Sequence, residues 1–105
     1  MTKVREVISA NLTIMRTHPP SLSISVEGNT ATPGYTGFHL SHYVYITPPA
    51  DGIYDADMVA TPPTGIVIQK ITPFEHQELW EDYPHENLKG MRIHSATNDL
   101  VVMID

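Results

Sequence analysis

Strict alternation of apolar and polar residues, cut at intervals by Thr-Pro pairs, constrains this chain more than any other feature. In "SLSISVE", Leu22, Ile24 and Val26 share one parity, while Ser21, Ser23, Ser25 and Glu27 share the other. A period of two puts every second side chain on the same face of an extended backbone, so this stretch is a half-buried strand. Ile8, Ala10, Leu12 and Ile14 alternate with Ser9, Asn11 and Thr13 in the same way, and residues 4–15 read as one long strand. In "FHLSHYVYIT", Phe38, Leu40, Val44 and Ile46 lie with His42 on one face. His39, Ser41, Tyr43, Tyr45 and Thr47 lie on the other. "GIVIQKI" is a β-branched strand, and "MRIHSA" and "LVVMI" are two more, joined by a "TND" turn.

Thr-Pro recurs at Thr32, Thr47, Thr61 and Thr72, twice extended to Pro-Pro and followed by Gly. Proline fixes φ, removes a ladder donor and restricts the residue before it, so these pairs read as strand terminators. "TPFEHQELWEDYP" admits two readings. Thr72, Pro73 and Glu75 suit a helix start, but Phe74 and Trp80 share a strand parity, and a strand ending near Trp80 is the preferred one. Short strands cut by regular turn signals predict a single all-β, immunoglobulin-like β-sandwich of seven to eight antiparallel strands over residues 1–105. The stretch from Leu88-Lys89-Gly90 through Ile93, Ala96 and Asn98 resembles the penultimate strand of fibronectin type III and related immunoglobulin-like sandwiches. It lacks the tyrosine usual there, and the resemblance implies architecture without function.

Composition narrows the possible functions. A chain of 105 residues forms one domain, and 41% apolar residues suffice for one modest core. The formal charge is −6 and the six basic residues are scattered, which argues against nucleic acid and against an anionic membrane surface. Six histidines, if all protonated, would cancel that charge, so solubility should fall as the solution is acidified. There are no cysteines, hence no disulfide, thiol nucleophile or Cys-ligated zinc. Without an apolar leader or a membrane span in the sequence, the expected compartment is the cytoplasm.

The densest cluster of chemical groups is "DGIYDADMVA". Tyr54, Ala56, Met58 and Ala60 share one face, and Ile53, Asp55, Asp57 and Val59 the other. The first set should face the core, which aims Asp55 and Asp57 outward as solvated or edge-protecting charges. Asp51 belongs to an Asp-Gly turn. Two carboxylates on a straight strand are too few for calcium, and His39 and His42, of opposite parity, are poorly placed to chelate zinc together, although His94 could approach either across a sheet. Ser41 is aimed away from His42, and no nucleophile elbow, phosphate loop or zincin spacing occurs. No cofactor, metal site or catalytic residue is expected.

Tyr43 and Tyr45 are the best binding candidates: if their strand face is exposed, two tyrosines in a row suit a partner, and if it lies between sheets they belong to the core. The reading is therefore a small, acidic, non-enzymatic protein-interaction module, whose partner is another protein or a second copy of the chain. The alternative is a ligand- or metal-binding sandwich that uses the Tyr43/Tyr45 face with nearby His and Asp side chains.

Overall fold

The protein, seen here as a computed structural model that describes residues 1–104, is all-β, with no helix among those residues. Its strands are β1 (Thr2–Lys3), β2 (Glu6–Met15), β3 (Ser21–Thr30), β4 (Thr36–His42), β5 (Ile53–Thr61), β6 (Thr72–Trp80), β7 (Gly90–His94) and β8 (Asp99–Met103). They form two sheets that pack face to face, as the alternating pattern requires.

The smaller sheet runs β2-β3-β6 and the larger is built around β5. One edge of β5 pairs with β4. The other is shared end to end by β7, beside residues 53–57, and by β1, beside Val59 and Ala60. β8 closes the far side of β7. Every pairing is antiparallel except β5–β7, which is parallel. The expectation of antiparallel pairing throughout is corrected at that point. The long connection from β5 through β6 returns the chain to the same end of the larger sheet, which is what a parallel neighbour needs.

The core follows the parities read from sequence. Leu22, Ile24 and Val26 of β3 meet Ala56, Met58 and Ala60 of β5, with Leu40, Met91 and Ile93 beside them, all in one buried cluster. β6 is a strand, and its inward row of Phe74, His76, Glu78 and Trp80 faces β4. Phe38 stacks on Phe74 with ring centroids 4.7 Å apart, and His42 stacks on Trp80 at 4.0 Å, so aromatic pairs close one flank of the sandwich. Asn98 closes the other. Its side chain accepts from Val7 N–H and donates to Val7 C=O, holding β2 against the β7–β8 turn.

Four local expectations are corrected. Residues 4–15 are not one strand: the chain leaves the larger sheet after Lys3 and enters the smaller at Glu6, with Val4 fully buried at the crossing. A bulge then makes Ile8 the extra residue between the pairs Val7–Gly28 and Ser9–Glu27. It turns Val7 into the core and Ile8 out to solvent, against the simple parity. Thr72-Pro73 opens β6 instead of ending a strand, as an edge strand permits. Finally, "GIVIQKI" pairs with nothing among the described residues, and Ile66 and Ile68 stand in solvent.

Candidate binding site on the outer face of the larger sheet

β4 stops pairing regularly at His42 because the chain lifts away from β5 into an arm, residues 43–50. The last backbone contact is Tyr43 N–H to Asp55 C=O, 3.0 Å. The reciprocal bond of an antiparallel pair is replaced by a side chain. Asp55 N–H donates to the hydroxyl of Tyr45 at 2.9 Å, and the same hydroxyl donates to the Asp55 carboxylate at 2.6 Å. Tyr45 thus ends the ladder and fastens the arm. Tyr43 is fastened less deeply, its hydroxyl donating to Asp57 at 3.0 Å and its ring lying parallel to His94, centroids 5.5 Å apart.

Alternation then decides what the arm shows to solvent. With Tyr43 and Tyr45 held down, Val44 and Ile46 point outward and are essentially fully exposed, 96% and 104%. They were expected to share the inward face of Phe38 and Leu40. The departure of the chain from the sheet after His42 reverses that assignment. At the foot of the arm a groove of about 300 Å³ is lined by Tyr45, Ile46, Pro48, Trp80, Pro84 and Asn87, among others.

Beneath the tyrosines, the outward carboxylates are bonded and not merely solvated. The register sets Asp55 beside Arg92 and Asp57 beside His94 across the parallel pair, with Asp99 beside His94 on β8. His94 Nε2 lies 2.7 Å from Asp55, its Nδ1 lies 2.7 Å from Asp99, and Arg92 donates to Asp55 at 3.2 Å. Lys3 lies 3.9 Å from Asp57 at the margin. Burial works against a charged His94, but its bonds to Asp55 and Asp99 outweigh that and raise its pKa above 6.5. Burial likewise opposes ionised Asp55, while Tyr45, His94 and Arg92 win and lower its pKa. The phenols respond in the opposite sense: Tyr43 is raised chiefly by its bond to Asp57, Tyr45 by burial and its bond to Asp55.

Chemically the cluster is a clamp. Both nitrogens of His94 are committed to carboxylates, so neither is available as a base or a ligand. No seryl, threonyl or lysyl nucleophile is hydrogen-bonded to His94 among the described residues. Nor do three His, Asp or Glu side chains among them form a group able to hold a metal ion. Asp51 behaves as expected, accepting from Ile53 N–H within its turn. His39 and His42 alternate in sequence along β4, yet both reach side chains of the inward row of β6. His39 lies 3.6 Å from Glu78, which His76 contacts at 2.8 Å. His42 is stacked on Trp80 with its Nδ1 buried and unpartnered, and that burial, opposed by nearby Glu78, lowers its pKa.

Sequence reasoning singled out Tyr43, Tyr45, Asp55 and Asp57, and the structure brings all four together. It left Arg92 aside and weighed His94 only as a neighbour of His39 or His42, although the alternation of both with Met91 and Ile93 marks them as outward-facing. The chain matches no protein-family model, and no curated protein or solved structure matches it significantly.

Proposed function

We propose that this protein is a small, non-enzymatic interaction module that takes a partner polypeptide on the arm and the groove at its foot. The observation that carries the reading is the division of labour along residues 43–46. Two tyrosine hydroxyls tie the arm to Asp55 and Asp57, while Val44 and Ile46 are held in full contact with water. Exposing two β-branched side chains on a fastened segment costs solubility and adds nothing to the core, whereas a pre-ordered apolar contact loses little entropy on association. Tyr and Arg around it suit the centre of an interface. The tyrosines therefore position the contact surface, with Tyr45 also lining the groove.

The finer architectural reading belongs to the same proposal. An immunoglobulin-like sandwich is supported by two packed sheets and by an N-terminal segment that passes from one to the other, and the parallel β5–β7 pair sets this chain apart from the simplest version. A cytoplasmic setting is supported by the lack of cysteine, and no helix among the described residues is long and apolar enough to cross a membrane.

A photo-crosslinking residue in place of Ile46 tests the function. In cells, it should give a discrete adduct, and Tyr45→Phe in the same chain should weaken it by loosening the arm. An adduct no stronger than that from exposed Thr97 would refute the reading.

A further inference from the structure

Two parts of this molecule lack the partner their chemistry calls for. The first is the segment after β5. Residues 65–71 carry the β-branched composition of a strand yet join no sheet, and Ile66 and Ile68 are 104% and 67% exposed. The only backbone bond described within the segment runs from Lys70 N–H to Ile68 C=O, 3.2 Å. The second is the outer edge of β8, which among the described residues pairs with β7 on one side and with no strand on the other. Ile104 N–H points inward to Lys89 C=O, so by alternation the main-chain groups of Val101 and Met103 point out from the edge. Natural edges are usually blunted by lysine, proline or a bulge. β8 reads "DLVVM" and has none of these, and Val101 and Met103 are each half exposed.

We propose that residues 65–71 of one copy of this chain add as an antiparallel strand to the outer edge of β8 in a second copy. Strand addition satisfies main-chain groups on both sides, and its specificity comes from alternate side chains. One register gives each exposed residue of β8, Asp99, Val101 and Met103, a partner. With Ile68 opposite Val101, Ile66 falls opposite Met103 and Lys70 opposite Asp99. Two apolar pairs and one ion pair then lie on the face of the sheet that carries Arg92 and His94. Val67 and Gln69 face Val102 and Leu100 on the other side. Asp99 is free to receive the lysine, since only one of its carboxylate oxygens is engaged, by His94, and its side chain is 57% exposed. Directly opposed apolar and oppositely charged pairs are the arrangement that stabilises antiparallel neighbours. The donor gives up one local backbone bond, and the bond from the Thr72 hydroxyl to Lys70 C=O at 2.8 Å, for a ladder.

The inference deepens the interaction reading by naming a partner, and it uses none of the arm. Substitution of Val44 and Ile46 leaves it untouched, so either can fail alone. The absence of native cysteine makes the register directly readable. Ile68→Cys and Val101→Cys chains are mixed under mild oxidation. A disulfide between the two variants is expected, because opposed residues of an antiparallel pair lie about 5.5 Å apart at Cα, within disulfide reach. Ile68→Cys mixed with Leu100→Cys, one residue out of register and facing the other side, should give far less. Sedimentation velocity of the unaltered chain should show a species of two or more copies, and Lys70→Glu should weaken it roughly tenfold by setting like charges together. Crosslinking no better than in the offset pair, or a monomer throughout the micromolar range, would overturn the proposal.

Discussion

Tyr45→Phe removes one oxygen from the molecule and tests the account of the arm. That hydroxyl accepts from Asp55 N–H at 2.9 Å and donates to the Asp55 carboxylate at 2.6 Å. Without it the carboxylate keeps His94 and Arg92, but the main-chain N–H loses its acceptor in a half-buried position. Leaving a donor unmade costs about 1–3 kcal/mol when buried. Here the lower half applies, about 1–2 kcal/mol, because water reaches a loosened arm. For a domain of this size 1 kcal/mol moves Tm by about 4–8 °C, so a fall of about 5–15 °C is expected by calorimetry. Hydrogen exchange of the Asp55 amide should accelerate in parallel, while core amides of β3 follow only the global change. Tyr43→Phe, whose bond to Asp57 is exposed, should lower Tm by a few degrees at most. If Tyr45→Phe melts with the wild type, or the Asp55 amide exchanges no faster, the hydroxyl does not fasten the arm.

Other outcomes follow from the same structure. His94, with its pKa raised in the fold, contributes stability that is full below about pH 6.5 and is lost as pH rises through the folded value. Urea unfolding should therefore show His94→Gln most destabilised near pH 6 and progressively less so above it; a gap that widens with pH would contradict the clamp. Gly28→Ala would set a Cβ 2.1 Å from the Glu6 carbonyl oxygen at the bulge and should cost about 3 kcal/mol or more. Gly65→Ala, with nothing within 4 Å and only its positive φ to object, should cost about 1–2 kcal/mol in the same denaturation assay. Val44→Ser with Ile46→Ser should leave stability within about 0.5 kcal/mol, because neither side chain is buried. A loss of several kcal/mol would show that they pack.

The inward parity of Tyr54, Ala56, Met58 and Ala60 was legible because β5 is straight and buried on one face. The outward aim of Asp55 and Asp57 follows from it. Their partners were not legible, since Arg92 and His94 arrive from a parallel neighbour whose position no local pattern encodes. Ile8 was misread because one extra residue reverses a period of two, and its cause, the close approach of Glu6 to Gly28, lies across the hairpin. Val44 and Ile46 were misread for a related reason. The alternation itself survives, but the backbone has left the sheet and has a different inside. Residues 65–71 have the composition of a strand yet join no sheet of their own chain, and periodicity reports only the former.

The single tryptophan sits on one sheet and its stacking partner, His42, on the other. An excited indole transfers an electron to a protonated imidazole in contact with it, and emission dims. Trp80 is therefore an internal optical gauge of this flank, needing no label. Its brightness reports the protonation of one histidine among six while the sandwich is closed, and the parting of the two sheets when it opens.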